Sequence, residues 1–262
     1  MRILLLKTFL ALAFIVPQQY TLVQKIALNA KYIQTDNFGQ LYIYANRVLV
    51  KYNKSGFLLS KFSNQTYGEI TTIDASDPYI LMLFYEDLNQ IVFLDDKLSP
   101  IGSPLNLDEL GVFNISTVCK SKQFAVWIYD RFDNRILQYG FNPKEVLQEI
   151  NLDPLNIKDE IVFMRESGNY LVLNAGKQFL VFDQFGSYIK SINSGTEKSF
   201  QIRNKHIIYF QDKQLIIKPV EIGKTDSLSL NFIDNIENVL IENNQLYVQK
   251  KDTVFIYKNE RN

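Results

Sequence analysis

The chain contains one cysteine, one histidine and one tryptophan among 262 residues. A single cysteine, Cys119, excludes an intramolecular disulfide and any metal site built from several thiolates. A single histidine, His206, leaves one candidate for the imidazole acid or base that enzymes most often use near neutral pH. We predict that Cys119, in an apolar strand, is a buried core residue, and that His206 is an ordinary residue at the start of a strand.

The sequence also lacks a charge excess and a long apolar run. Lysine and arginine total 28 and aspartate and glutamate total 28, so the formal net charge is zero. Proteins that bind nucleic acid usually carry a basic excess or a basic stripe, so we predict no nucleic-acid partner. No apolar run approaches the roughly 20 residues of a membrane-spanning helix, so we predict no transmembrane span in the mature chain. Neither glycine-rich phosphate-binding fingerprint occurs.

The longest apolar run lies near the N-terminus, at residues 9–16. The positive charges of Arg2 and Lys7 lie before this run, and Pro17 ends it. This arrangement resembles a secretory signal peptide. We therefore predict a signal peptide over residues 1–19 and one domain over residues 20–262. The mature protein is then periplasmic or secreted. An uncleaved anchor and a plain N-terminal strand are the alternatives.

A unit of short strands and polar turns recurs along the rest of the chain. Each copy has an aliphatic strand that ends on a large residue, and these residues are Tyr52, Leu94, Tyr139, Phe182, Ile217 and Tyr257. The steps between successive copies are 42, 45, 43, 35 and 40 residues. A period near 40 residues filled with short strands is typical of β-propeller blades. The sequence thus predicts an all-β, six-bladed β-propeller, with five or seven blades as alternatives because one step is irregular.

Five of the predicted blades have four strands and the last has three. The predicted strands are 31–36, 41–45, 48–52 and 58–62; 70–75, 80–85, 90–94 and 101–106; 115–120, 125–130, 135–139 and 146–151; 160–165, 170–174, 179–183 and 188–192; 200–203, 206–210, 214–218 and 227–231; and 238–242, 245–249 and 254–258.

A spare strand at residues 20–27 could supply the missing element of the last blade. An open ring would leave apolar blade faces and strand edges exposed, so we predict that this N-terminal strand closes the ring. On this prediction, deletion of residues 20–29, or substitution of Leu22 and Val23 by Asp, costs far more than an ordinary terminal truncation.

Two resemblances follow from these units. The segments Val48-Leu-Val-Lys-Tyr-Asn-Lys-Ser-Gly56 and Phe179-Leu-Val-Phe-Asp-Gln-Phe-Gly186 resemble blades of NHL-like propellers, over most of the chain. Within residues 30–130, the chain more narrowly resembles a family of exported propeller proteins of Bacteroidota, through residues 34–37, 70–76, 89–95, 98–102 and 107–110. That second resemblance implies an envelope protein with an accessory or plug-like role on the periplasmic side of the type IX secretion translocon. It carries over no catalytic residue.

Paired carboxylates are the most chemically suggestive feature that remains. Such pairs can bind Ca²⁺ or hydrolyse glycosides, but each lies at a predicted strand end or turn, where Asp bonds the local backbone. We predict turn residues, with a metal held in the channel of a lactonase-like propeller as the alternative. The pairs are Glu86/Asp87, Asp95/Asp96, Asp130/Asp133 and Asp159/Glu160.

Trp127 lies in a strand that is apolar on both faces, which indicates burial between two blades rather than an exposed anchor. Rigid scaffolds usually carry function in their loops. A short helical turn is predicted at residues 105–110, with Asn106 as its cap. The most loop-like segments are 63–68, 108–114, 151–159, 191–199 and 221–227.

The sequence assigns no catalytic, cofactor-binding or metal-binding residue, and it leaves the binding residues undetermined. We predict a non-enzymatic, exported propeller without a cofactor. It would bind a protein partner in the cell envelope, such as an outer-membrane complex, as a scaffold or accessory subunit. The alternatives are a metal-dependent lactonase-like or carbohydrate-active enzyme, and a ligand-binding sensor module.

Overall fold

A computed structural model describes residues 20–122, 124–142, 144–196 and 199–260. The predicted signal peptide, residues 1–19, lies outside these residues. The described chain forms six four-stranded antiparallel sheets, so the predicted all-β, six-bladed propeller is confirmed. Its helices are three 3-10 turns at Glu86–Leu88, Asp108–Leu110 and Asp153–Leu155. No helix in the described ranges has the length and apolar character needed to cross a membrane.

The strands of each blade are called a to d from the channel to the rim, because the first strands of neighbouring blades contact one another around the centre. The first strand of the chain, β1 (Tyr20–Ile26), is strand d of blade six. Blade one is β2 (Tyr32–Thr35), β3 (Leu41–Ala45), β4 (Val48–Tyr52) and β5 (Leu58–Ser63), and blade two is β6 (Thr72–Asp74), β7 (Ile80–Tyr85), β8 (Gln90–Asp95) and β9 (Leu105–Asn106).

The remaining four blades follow in chain order. Blade three is β10 (Ile115–Ser121), β11 (Ala125–Asp130), β12 (Arg135–Gly140) and β13 (Val146–Asn151), and blade four is β14 (Phe163–Ser167), β15 (Tyr170–Ala175), β16 (Gln178–Asp183) and β17 (Tyr188–Asn193). Blade five is β18 (Gln201–Arg203), β19 (His206–Gln211), β20 (Gln214–Pro219) and β21 (Asp226–Ser229), and blade six is β22 (Asn238–Glu242), β23 (Gln245–Lys250) and β24 (Thr253–Asn259) with β1.

The N-terminal strand closes the ring as predicted. β1 pairs antiparallel with β24, from Tyr20 opposite Asn259 to Ile26 opposite Val254. Tyr20 and Ile26 are buried, whereas Leu22 and Val23 are 49% and 38% exposed. The prediction that substitution of Leu22 and Val23 by Asp is especially costly is therefore not supported, because the strand buries its two ends and exposes its middle.

Hydrogen bonds from side chains of blade six connect this closing blade to blade one. Alternate residues along one face of β23 and its preceding turn each donate a hydrogen bond to a backbone carbonyl of the chain around blade one. The four bonds join Asn243 Nδ2 to Asn37 O at 3.0 Å, Gln245 Nε2 to Lys54 O at 3.0 Å, Tyr247 Oη to Gly39 O at 2.7 Å and Gln249 Nε2 to Ala30 O at 2.7 Å. The period of two in a strand places all four donors on one face.

Blade two departs from the predicted pattern at its rim. The sequence predicts strand d over residues 101–106, but the structure has only the two residues of β9, with an isolated bridge between Leu94 and Pro100. Gly102 takes a left-handed backbone with φ of 68°, and Pro104 has no backbone N–H to donate, so a regular ladder is interrupted between them. The rim of blade two is consequently irregular, although the backbone N–H of Ile101 still donates to the carbonyl of Phe93 at 2.8 Å.

Candidate functional site

The two faces of the ring differ in the connections they carry, since successive strands of a blade run in opposite directions. One face, called here the a–b face, carries the a–b and c–d turns. The other, called the b–c face, carries the b–c turns and the loops between blades. The channel, both faces and the grooves between blades are the places where a ligand could bind.

Ion pairs occupy the channel towards the a–b face. Asp74 of blade two forms an ion pair with Arg165 of blade four, and its other oxygen accepts the backbone N–H of Lys120 of blade three at 2.9 Å. Burial would raise the pKa of Asp74, but the charge of Arg165 and the hydrogen bonds outweigh it and lower that pKa below its ordinary value. One carboxylate thus links three blades.

A second ion pair joins blades five and six in the same region. Arg203 pairs with the carboxylate of Glu242. Burial, and then the neighbouring charge of Arg165, lower the pKa of Arg203 to about 10, so it stays protonated at neutral pH. Gln201 accepts the backbone N–H of Ile241 at 2.9 Å and donates to Thr35 Oγ1 at 3.3 Å. These contacts leave a cavity of about 200 Å³, so the a–b end of the channel mainly holds the blades together.

The channel is wider towards the b–c face, where its cavity is about 740 Å³. Arg131 lines this end and pairs with Glu86 at 3.2 Å and Glu160 at 2.6 Å. Ser116 donates to the carbonyl of Ile161 at 3.1 Å. The lining is polar, but these charges are paired with one another.

The single cysteine, histidine and tryptophan lie where the sequence predicts. Cys119 is buried in β10, and burial raises the pKa of its thiol well above the ordinary value, which disfavours the reactive thiolate. His206 begins β19 in blade five, half-buried, with Nδ1 2.8 Å from the carbonyl oxygen of Asn204. Trp127 is fully buried in β11, and its Nε1 donates to Glu166.

Two of the four carboxylate pairs serve the turns, as the sequence predicts, whereas Glu86 and Glu160 of the other two form ion pairs with Arg131. Asp95 Oδ1 accepts the backbone N–H groups of Lys97 at 2.9 Å and Ser99 at 2.7 Å. Asp130 Oδ1 accepts the N–H of Phe132 at 3.0 Å. Among the described residues, no group of three or more His, Cys, Asp or Glu side chains is placed to hold a metal ion.

A groove between the rims of blades two and three, called here the rim groove, is larger than the two channel cavities. Its volume is about 1040 Å³. It exists because β9 covers only the first part of β8, which leaves the outer edge of blade two irregular. The residues that shape its floor and rim are Phe93, Ile101, Leu105, Lys122, Phe124, Phe141 and Lys144.

Apolar rings form the floor of the rim groove. Phe93 of blade two and Phe141 of blade three meet edge to face, with ring centroids 5.3 Å apart, and Tyr139 contacts Phe141 from the inner side at 6.4 Å. Phe124 stands at the a–b end of the groove and is 79% exposed. Ile101, on the blade-two side, is 43% exposed.

Phe124 also has an unfavourable backbone conformation, with φ of 49°. Left-handed backbone is unfavourable for bulky residues, and most of the other residues that adopt it here are Asn, Asp, Lys or Gly. Leu98 is the other apolar case, and it is buried in the core, which stabilises it there. Phe124 has no such compensating burial. Strain of this kind collects at functional sites.

Two lysines at the rim groove have no ion-pair partner among the described residues: Lys122 and Lys144. Lys122 Nζ donates instead to the carbonyl of Gly168 in blade four. Of the carboxylates in the lining, Asp77 pairs with Lys120 at 3.0 Å, and Glu166 accepts the neutral indole N–H of Trp127 and keeps its charge. Glu109 and Glu166 therefore balance the charges of Lys122 and Lys144, and the formal charge of the groove lining is zero.

Sequence reasoning did not identify the rim groove. Its members lie in three blades and become neighbours only because a rim strand is interrupted. One signal was available: a phenylalanine fills a turn position before β11, where the corresponding turns of blades five and six have Asn204-Lys205 and Asn243-Asn244.

Comparisons with known proteins give the fold. No protein-family model matches the chain, and no functionally characterised protein matches its sequence. The chain is structurally similar to the Pan2 WD40 domain of Neurospora crassa, with 11% identity, coverage of 93% of this chain and 96% of that chain, and a TM-score of 0.59. It is also similar to virginiamycin B lyase from Staphylococcus aureus, with 10% identity, coverage of 91% and 99%, and a TM-score of 0.62.

A third similar structure is PorZ, a surface component of the type IX secretion system of Porphyromonas gingivalis. Its identity is 12%, the match covers 88% of this chain and 36% of that chain, and its TM-score is 0.49. That likeness is too low to carry an argument about function. Since the similar propellers include an enzyme and non-enzymes at such low identity, the comparisons show a β-propeller, and its function must be inferred from the residues of this chain.

Proposed function

We propose that this protein is a non-enzymatic β-propeller that binds a protein partner through its a–b face, at the rim groove. The observation that carries the proposal is Phe124, which is 79% exposed and has a left-handed backbone. An exposed aromatic ring on a rigid scaffold is the usual anchor of a protein interface. Strain at such a position is stabilised when a partner buries the ring.

The setting of Phe124 supports the same function. It lies beside a groove of about 1040 Å³ whose floor includes the Phe93–Phe141 pair. Apolar surface that can be removed from water contributes about 25 cal/mol per Å² to association before the entropic costs. The channel charges, by contrast, are bound to one another.

The cellular role that we propose is that of an accessory subunit in an envelope assembly. It rests on the apolar N-terminal segment at residues 9–16, which resembles the core of an export signal, and on the resemblance of residues 30–130 to exported propellers. The periplasmic side of the type IX secretion translocon is the specific assembly we propose to test first.

Site-specific crosslinking tests the proposal. Benzoylphenylalanine is introduced at Phe124 in the cells that make the protein, and in a second sample at Phe132, which is 84% exposed on the b–c face. We expect one discrete adduct at residue 124 that is absent at residue 132. The purified partner, identified by mass spectrometry, should bind the Phe124→Asn protein at least tenfold more weakly. Equal adducts at the two positions, no adduct at residue 124, or unchanged binding by the variant would refute the proposal.

A further inference from the structure

We infer that the a–b face of the ring lies against a lipid bilayer, and that exposed apolar side chains of its turns and rim strands insert into the bilayer interface. Contact with a bilayer goes beyond the protein-binding function proposed above and is independent of it. The residues that carry it do not include Phe124, and the rim groove of blades two and three is left to the protein partner.

Exposed apolar side chains are concentrated on the a–b face. Among the described residues, twenty large apolar side chains are exposed, and fifteen of them lie in the turns of this face or in the halves of the rim strands that adjoin it. The other five lie on the b–c face, and they are Leu88, Phe113, Phe132, Val162 and Phe232. Single exposed apolar residues are normal, but so strong a bias towards one face marks an interaction surface.

Turns in four blades each present an apolar side chain on this face. Phe57 of blade one, Tyr79 of blade two, Phe185 of blade four and Ile222 of blade five are 69%, 64%, 69% and 102% exposed. Turn chemistry favours Gly, Asn, Asp, Ser and Pro, so it does not explain these residues. Because they are distributed around the ring, they do not form one compact patch of the kind that a protein partner covers. A bilayer surface can meet all of them at once.

The rim strands of four blades add a second set of apolar side chains. In each of these strands a β-bulge leaves one residue without a partner on strand c, so that two successive side chains are exposed where a regular strand would turn one of them inward. The exposed pairs are Leu22–Val23 in blade six, Leu58–Leu59 in blade one, Val146–Leu147 in blade three and Tyr188–Ile189 in blade four.

Turns and bulges together form two equivalent apolar clusters. The turn with Phe57 packs against β1 at Gln24, next to the bulge of blade six. The turn with Phe185 packs against β13, where Gln148 Nε2 donates to the carbonyl of Phe185 next to the bulge of blade three. Blades six and one lie opposite blades three and four in a six-bladed ring. A partner that covers both clusters must therefore span the whole face.

The charges near these clusters indicate which lipids would bind. Residues of both signs lie in or next to the c–d turns of blades one, three, four and five. They are Lys54, Lys144 and Lys224, and Glu145, Asp183 and Glu221. Because the two signs balance, electrostatic attraction to anionic lipid contributes little, and the insertion of apolar side chains should hold the protein on neutral lipid.

The described chain also begins on the a–b face. Tyr20 lies opposite Asn259 at the a–b end of blade six. The apolar run at residues 9–16 is therefore joined to the domain at this face, through only residues 17–19. Three residues span at most about 10 Å, so a bilayer that contacts the apolar run lies on the same side of the ring as the two clusters.

Fluorescent labels report which face meets a bilayer. Cys119 is buried, so a cysteine introduced at the surface can be labelled selectively. The environment-sensitive dye NBD is attached through Ser55→Cys in blade one or Gln184→Cys in blade four, and through Lys158→Cys or Lys251→Cys on the b–c face. With phosphatidylcholine vesicles, we expect about a twofold rise in fluorescence at both a–b positions and none at the b–c positions, because only a dye in the interface loses water.

Matched variants supply the second arm. The double variant F57S/F185S removes one ring from each cluster and should bind phosphatidylcholine vesicles about tenfold more weakly in a flotation assay. The control F113S/F132S removes two rings on the b–c face, which are 68% and 84% exposed, and it should bind as the wild type does. Melting temperatures verify that both variants are folded. Added phosphatidylglycerol should change the binding of the wild type by less than about threefold.

Each other result has a defined meaning. A fluorescence rise on both faces, on neither face or at only one a–b position overturns bilayer contact, as does wild-type binding by F57S/F185S or binding that requires phosphatidylglycerol. If bilayer contact is overturned while crosslinking at residue 124 gives its discrete adduct, the proposed protein-binding function stands. If the labels and variants behave as expected while residue 124 gives no adduct, bilayer contact stands and the proposed function fails.

Discussion

Single residues decide how closely the blades approach each other, and two glycines show this most clearly. A Cβ atom at Gly56 would lie 2.4 Å from Gln24 Cγ of β1, and one at Gly186 would lie 2.2 Å from Gln148 Nε2 of β13. Both glycines end equivalent c–d turns and have left-handed backbones with φ of 81° and 74°. The turn of one blade thus packs under the rim strand of the preceding blade, and the N-terminal strand reproduces that contact at the closure.

Substitution of these glycines separates packing from backbone conformation. Gly56→Ala and Gly186→Ala should each lower the free energy of unfolding by about 2–4 kcal/mol, from overpacking and positive φ together. Gly102→Ala is the matched control, because φ there is 68° and nothing lies within 4 Å of the added Cβ. It should cost only about 1 kcal/mol. Urea unfolding measures all three, and equal losses would contradict the packing argument.

We expect Phe124, the proposed binding anchor, to lower the free energy of unfolding of the protein when no partner is bound. Phe124→Asn should raise the free energy of unfolding by about 0.5–1 kcal/mol and the melting temperature by about 1–3 °C, because Asn adopts left-handed backbone more readily. Calorimetry measures the shift. The control Phe132→Asn changes an exposed phenylalanine that does not have positive φ, and it should shift stability by less than about 0.5 kcal/mol. A lower melting temperature for Phe124→Asn would mean that the ring is stabilised within the molecule itself.

At the level of strands, the closure depends on the ends of β1. Ile26→Ala should lower the free energy of unfolding by about 2–4 kcal/mol, because Ile26 is buried opposite Val254 in the core between blades six and one. Leu22→Asp combined with Val23→Asp should cost less than about 1 kcal/mol, since the two side chains are 49% and 38% exposed and lie outside the core. Thermal unfolding of the two variants gives the comparison. A greater loss in the Asp variant would contradict the observed burial pattern.

The predictability of the elements depends on how local their causes are. Strand positions and the blade period could be predicted because each hairpin carries its own apolar residues and turn residues, as in Asp183-Gln-Phe-Gly186. The closure followed from the three strands available for the last blade. The interruption of β9 was missed, although Gly102 and Pro104 are visible in the sequence, because Ile101 and Leu105 fit a strand pattern. The rim groove could not be predicted, since Phe93, Lys122 and Lys144 meet only in the assembled ring.

At the scale of the whole molecule, the free energy of unfolding should depend on pH through the ion pair between Asp74 and Arg165 in the channel. The pKa of Asp74 is lowered in the folded protein, because the charge of Arg165 and the hydrogen bonds outweigh burial. As pH falls, the carboxylate of Asp74 is therefore protonated in the unfolded chain at a higher pH than in the folded protein. The contribution of Asp74 is complete above about pH 4 and is lost as pH falls further towards the folded pKa.

Asp74→Asn tests that link between three blades. The variant should lose about 3–5 kcal/mol of stability at pH 7, since the buried guanidinium of Arg165 loses its partner, and its stability should fall less steeply below pH 4. Asp234→Asn is the control, since Asp234 is 78% exposed beside Lys213 and should change stability by less than about 0.5 kcal/mol. Urea unfolding from pH 7 to pH 2.5 records both effects. An acid slope for Asp74→Asn equal to that of the wild type would contradict the assignment.

β1 pairs with β24, although the two strands lie at opposite ends of the domain in the order of synthesis. Tyr20–Ile26 is synthesised before the rest of the domain, but its partner Thr253–Asn259 comes last. No truncated nascent chain can complete the ring, however many blades have already formed. The seven residues of β1 must remain without a partner strand until β24 is available, open to proteases and to pairing with foreign strands. Closure of the ring is therefore gated by β24, and slow emergence of Thr253–Asn259 should delay resistance to proteolysis across the whole domain.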